Sequence, residues 1–101
     1  LIGSEGLEAL KLLDKETGSG QQLKVDAAFV AIGQEPDNQA FASLVELDES
    51  GYIRAGEDCK TQATGVFAAG DCRTKQVRQL TTAAADGAVA AIAAVEYIEE
   101  K

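Results

Sequence analysis

The residues "GDCRTKQVRQ", 70–79, put one carboxylate, three cations and two amides into ten positions of an otherwise acidic chain. They follow "GVFAA", 65–69, a short apolar run that reads as a buried strand ending on Gly70 and Asp71. Ligands of open α/β sheets bind beyond the carboxyl ends of strands, which is where such an aspartate stands. There its carboxylate accepts hydrogen bonds from hydroxyls, each charge-assisted bond contributing about 1.5–3 kcal/mol. Arg73, Lys75 and Arg78 form a basic spot that is a candidate anion site. A second reading stays open: a plain βα connection in which Asp71 only caps the helix that follows.

Three kinds of element must position these residues. From about Thr82 the pattern turns helical, with Ala84, Ala88, Ile92, Val95 and Ile98 spaced by three or four as one apolar stripe. Thr81 or Thr82 is the expected cap. The helix start offers unpaired N–H groups and a partial positive charge of about +0.5, which favours a flat heterocycle gaining negative charge. Arg78 and Gln79 lie just before it, and Ala83, Ala84, Ala85 and Gly87 leave room for a ring. Upstream, Ala27–Ile32 is a continuous apolar run fit for a strand covered on both faces, ending at Gly33. Residues 44–55 read as a small hairpin around "DESG". "LEALKLLD", 7–14, suits a helix or the first arm of a hairpin whose second arm is 23–33. The glycine-rich pieces "GSEG" and "GSG" precede no strand-to-helix step and are turns rather than phosphate loops.

Composition bounds the function. At 101 residues with 46% hydrophobic and 26% charged content, the chain is at most one small domain's worth of globular protein. Its net charge of −8 argues against nucleic acid or an anionic membrane as partner. The apolar stretch 83–98 is interrupted by Asp86 and Glu96, so no membrane span is expected. With no histidine and only Cys59 and Cys72, zinc readings that need histidine fall away and a structural site has two ligands where it needs four. The two thiols are expected to be reduced, in a cytoplasmic setting. A chain that starts at Leu1 and contains no methionine is expected to be a piece of a longer polypeptide.

"TQATGVFAAGD", 61–71, resembles the second flavin-binding segment of the pyridine nucleotide–disulfide oxidoreductases. Within that superfamily, "VRQLTTAAADGAVAA", 77–91, is similar to the low-molecular-weight bacterial thioredoxin reductases, and "FVAIGQEPDN", 29–38, resembles their re-entry from the NADPH domain into the flavin domain. The resemblance implies an α/β fold, part of a Rossmann-like FAD-binding domain over residues 26–101. It is preceded by the last β-hairpin of an NADPH domain over residues 1–25, which settles residues 7–14 as strand. It implies FAD bound through Gly70, Asp71, Arg78, Gln79 and Leu80, with Asp71 on the ribityl–phosphate region and Arg78, Gln79 and the backbone of Leu80 on the pyrimidine edge. Neither GxGxxG nor the redox CxxC is present, so this chain holds no catalytic residue and by itself is expected to show no turnover. The implied parent is an NADPH-dependent thioredoxin-disulfide reductase acting on thioredoxin as a homodimer. Two alternatives are the reductase of an alkyl hydroperoxide or ferredoxin-type system and a non-catalytic assembly module on the same scaffold.

Overall fold

Asp14 sets the turn that opens the structure: its Oδ1 accepts the N–H groups of Glu16 and Thr17 at 2.9 and 2.8 Å, and Gly18 turns the chain with φ 71°. The strands on either side, β1 (Ala9–Leu13) and β2 (Gly20–Lys24), pair antiparallel with Leu10 opposite Leu23 and Leu13 opposite Gly20. The hairpin expected from "KETGSGQQ" is therefore present, with β2 starting before Leu23 and ending at Lys24. Ile2 bridges to Ala9 on the outer edge of β1. The structure is a computed structural model that describes residues 1–100, and it divides into two compact units, Leu1–Gly33 and one beginning at Gln34.

The apolar run before Gly33 is not a buried strand. Phe29, Val30 and Ile32 are 96, 80 and 91% exposed, and residues 26–37 make no backbone hydrogen bond among the described residues. A strand exists through its neighbours, and this run has none among the described residues.

In the second unit the 44–55 hairpin forms as expected. Leu47 bridges to Ile53, and Asp48 organises the turn by accepting the N–H groups of Ser50 and Tyr52 at 2.9 Å. Ile53 also bridges in parallel to Arg73, its N–H donating to the Cys72 carbonyl at 2.9 Å. Val45, Ile53 and Ala68 form the core, packed by Leu47, Ala55, Ala63, Val66 and Cys72. Buried Asn38 joins two parts of the unit, its Nδ2 donating to the carbonyls of Gly51 and Cys72, each at 2.9 Å. The run 66–69 makes one isolated bridge, Lys60 to Phe67, rather than a strand. Thr61 closes that loop, its hydroxyl donating to the Val66 carbonyl at 2.8 Å.

The helix α1 spans Leu80–Glu99 and starts two residues before the expected Thr82, with Gln79 at the N-cap. Thr82 sits one turn in, where its hydroxyl accepts the Gln79 N–H at 3.1 Å and donates to the Gln79 carbonyl at 2.9 Å. The packed face is not the large-residue stripe: Ala84, Ala88, Ile92, Val95 and Ile98 are all exposed. Ala83, Asp86, Ala90, Ala93 and Tyr97 face the unit instead. Small side chains suit that face because it lies close to backbone: an added Cβ on Gly70 would stand 3.6 Å from Ala83 Cβ, and Tyr97 fits because it lies over Gly65. At 20 residues and mean hydropathy 1.2, α1 also has the length and composition of a membrane span, which the interrupted stretch 83–98 was not expected to reach. Its centre, however, is ion-paired to a polar loop of the same unit through Asp86.

Candidate functional site

Asp86 organises the loop that carries the chemistry. Its Oδ2 accepts the Gly70 N–H at 2.9 Å, Arg73 Nε at 2.8 Å and Lys75 Nζ at 2.8 Å, while Oδ1 accepts Arg73 Nη2 at 2.9 Å. The Arg73 and Lys75 side chains are 2 and 7% exposed. Hydrogen bonds from Arg73, then Lys75, hold the Asp86 carboxyl well below the usual carboxylate range, and the same pairing raises the Arg73 guanidinium. The basic spot at 73–78 is therefore not an open anion site, because two of its three cations are spent on this carboxylate. Asp86 looks in the sequence like an interruption of an apolar run. The signal that marks it is a carboxylate on the alanine face of the helix, with Arg73 and Lys75 within reach.

Gly70 turns the chain with φ 87°, and a Cβ there would stand 3.6 Å from Ala83 Cβ, so the Gly70–Asp71 turn lies against the first turn of α1. Beyond it the Asp71 side chain is exposed and engages no partner among the described residues. Arg78 bridges from the helix start back to this turn. Its Nε donates to the Asp71 carbonyl at 3.1 Å and its Nη2 to the Arg73 carbonyl at 3.2 Å, with the guanidinium 3.7 Å from the Tyr52 ring centroid. Gln79 and Leu80 are exposed at the helix start, Leu80 at 91%. There the first backbone N–H groups have no acceptor one turn back.

The structure thus gathers all five expected residues around one feature, the turn and the helix start beside it. Gly70 differs in what it offers, since its N–H is committed to Asp86 and what remains is its lack of a side chain. An open cleft of about 370 Å³ borders the turn, lined by residues 34–38, Tyr52, Asp71 and Cys72. Its size suits part of a nucleotide-sized ligand. Tyr52 and Asn38 belong to this site and were not singled out by sequence. A free carboxylate, a side-chain-free turn and unpaired amides form a donor and acceptor set that fits a hydroxyl-bearing heterocyclic cofactor.

Cys59 and Cys72 form no disulfide with one another. Cys59 is fully buried in a left-handed backbone conformation, φ 58°, and its Sγ–H donates to the Asp86 carbonyl at 3.4 Å. Burial pushes its thiol up. No group of metal-ligating side chains occurs among the described residues.

Comparison with known proteins places these features in context. The family described as pyridine nucleotide-disulphide oxidoreductase matches residues 2–87. A thioredoxin reductase from Peptoclostridium litorale is 53% identical over 72 residues, 71% of this chain and 23% of that protein. A 34.2 kDa protein in a rubredoxin operon of Clostridium pasteurianum is 42% identical over all 101 residues, 33% of its own length. Among solved structures, Lactococcus lactis thioredoxin reductase superposes with a TM-score of 0.75 at 32% identity, covering 93% of this chain and 31% of that one. The chain spans a third or less of the proteins it matches.

Proposed function

The chain belongs to the pyridine nucleotide-disulphide oxidoreductase family, and from that premise we propose that it is the part of an FAD-dependent thioredoxin-disulfide reductase that forms one wall of the flavin site. The α/β, Rossmann-like fold of its structural neighbours agrees with this. The observation that carries the reading is the exposed, unpartnered Asp71 carboxylate, set by the Gly70 turn against the start of α1.

In this reading Asp71 accepts hydrogen bonds from the ribityl chain of FAD. The N–H groups at Leu80 and the Gln79 side chain meet the pyrimidine edge of the ring, where the helix start favours negative charge. Arg78, held by two carbonyls and the Tyr52 ring, fixes the turn relative to the helix and keeps Nη1 for the same edge. FAD, when bound, supplies two-electron transfer between NADPH and a disulfide. The NADPH site and the redox disulfide belong to the rest of the parent, so this chain alone gives no turnover. Its partner is thioredoxin, reached through a homodimeric parent in the reducing cytoplasm, which suits two free thiols.

A specific observation favours a second reading with the same cofactor and a different electron acceptor. The relative matched over the whole chain is described by its place in a rubredoxin operon.

The test is a chimera in which this chain replaces the matching third of the Peptoclostridium litorale thioredoxin reductase. Retained flavin absorbance and NADPH-dependent reduction of thioredoxin are the expected result. Bound flavin with turnover of another acceptor in place of thioredoxin selects the second reading. A folded chimera that binds no flavin rejects both.

A further inference from the structure

Among the described residues the Asp71 carboxylate has no hydrogen-bond or ion-pair partner, so its position is dictated by the backbone on either side. Arg78, just before α1, holds the Asp71 and Arg73 carbonyls, and the ties to the body of the helix meet on one side chain. Asp86 Oδ2 takes the N–H of Gly70, the residue immediately before Asp71, at 2.9 Å. The same carboxylate takes Arg73 and Lys75, which flank the far end of the turn, and Arg73 Nη1 donates onward to the Thr74 carbonyl at 2.9 Å. Asp86 stands on the helix whose first residues, Leu80 and its neighbours, form the other side of the site. A helix moves as a rigid element, so Asp86 and the helix start keep a fixed separation. Glu57, 3.8 Å from Arg73 and 97% exposed, adds little to this clamp.

We propose that Asp86 is a positioning residue of the flavin seat: by holding the Gly70–Asp71 turn onto α1, it works with Arg78 to set where the Asp71 carboxylate stands relative to the helix start. The inference rests on the flavin reading above, and it assigns Asp86 no contact with the cofactor. Gly70 needs such a clamp because glycine at φ 87° is free to leave that conformation. Asp86 is suited to it because both of its oxygens are used and the group is buried. Small displacements of positioned groups carry large losses in binding and rate.

The test uses the full-length reductase carrying this segment, stripped of flavin and titrated with FAD while flavin fluorescence is followed. Asp71→Ala is expected to weaken FAD binding by about tenfold to a hundredfold, the loss of a charge-assisted hydrogen bond. Asp86→Glu keeps the charge but lengthens the clamp by one methylene, and it is expected to weaken FAD by about tenfold. Because Asp86 acts through Asp71, the D71A/D86E double variant should bind FAD like Asp71→Ala alone. A merely structural role would instead lower the melting temperature and add its loss to that of Asp71→Ala. Wild-type affinity in D86E, or additive losses in the double variant, overturns the proposal. Unchanged FAD binding in Asp71→Ala overturns the flavin reading itself, which keeps the two failures distinct. Should D86E not fold, Lys75→Met decides: a roughly threefold loss that vanishes in the Asp71→Ala background is expected, and wild-type affinity overturns the proposal.

Discussion

Replacing Asp86 with asparagine should unfold this protein far more readily than the loss of one surface carboxylate would. The wild-type carboxylate accepts four hydrogen bonds, from Gly70 N, Arg73 Nε and Nη2, and Lys75 Nζ, all within 2.9 Å. Asparagine keeps one acceptor oxygen and turns an NH₂ toward donors that need acceptors. It also leaves Arg73, only 2% exposed, with Glu57 at 3.8 Å as its remaining carboxylate. Removing one partner of a buried ion pair costs about 3–5 kcal/mol, a large share of a total that is commonly 5–15 kcal/mol. Lys75→Met is the control, because it leaves the Arg73–Asp86 pair balanced and should cost only about 1 kcal/mol. Urea unfolding followed by helix circular dichroism measures both, and D86N should exceed K75M by at least about 2 kcal/mol. If D86N falls within about 1 kcal/mol of wild type, the cluster does not hold the loop and the reasoning is wrong. Acid titration checks the same cluster. The folded carboxyl lies well below its ordinary 3.8, so the unfolded chain takes up its proton first as pH falls. The stabilisation is therefore complete well above 3.8 and drains away below it. The D86N variant should lack that acid-sensitive part.

Three further outcomes follow from other parts of the second unit. Gly65→Ala should cost about 2–3 kcal/mol in thermal melts, because φ is 79° and the new Cβ would meet the Tyr97 ring at 3.0 Å; an unchanged melting temperature would show that the ring yields freely. Thr61→Val keeps the shape but loses the hydroxyl bond to the Val66 carbonyl, and urea midpoints should show a loss of about 1–2 kcal/mol. Alkylation of the native chain at mildly basic pH should label Cys72 and spare Cys59, which is buried with its thiol pushed up; mass spectrometry showing both labelled before unfolding would contradict the packing.

What the sequence revealed depended on how local the signal was. The "DESG" turn and the position of α1 were legible because Asp, Gly and Thr set turns and caps through bonds to backbone a few residues away, whereas residues 7–14 suited helix or hairpin until the family resemblance decided for strand. Gly70, Asp71, Arg78, Gln79 and Leu80 come as a group from the family resemblance, and the turn brings them beside one helix end. Strand readings at 29–33 and 66–69 did not survive, since a strand is defined by partners and those runs find one bridge between them. Stripe reading also picked the wrong helix face. Large side chains at Ile92, Val95 and Ile98 outweigh alanine on any hydropathy count, yet alanine and Asp86 are what fit against close backbone. Charge counting failed for a related reason. Arg73 and Lys75 read as a basic surface spot until Asp86, more than ten residues away, is brought onto them by the fold.

A crystal structure of the full-length protein grown with FAD is the most direct test of the proposed flavin seat. The account predicts a ribityl hydroxyl within hydrogen-bond distance of the Asp71 carboxylate and the pyrimidine edge of the ring at the Gln79–Leu80 start of α1. A flavin lying elsewhere, with Asp71 still bonded to nothing or covered by protein side chains, would contradict it.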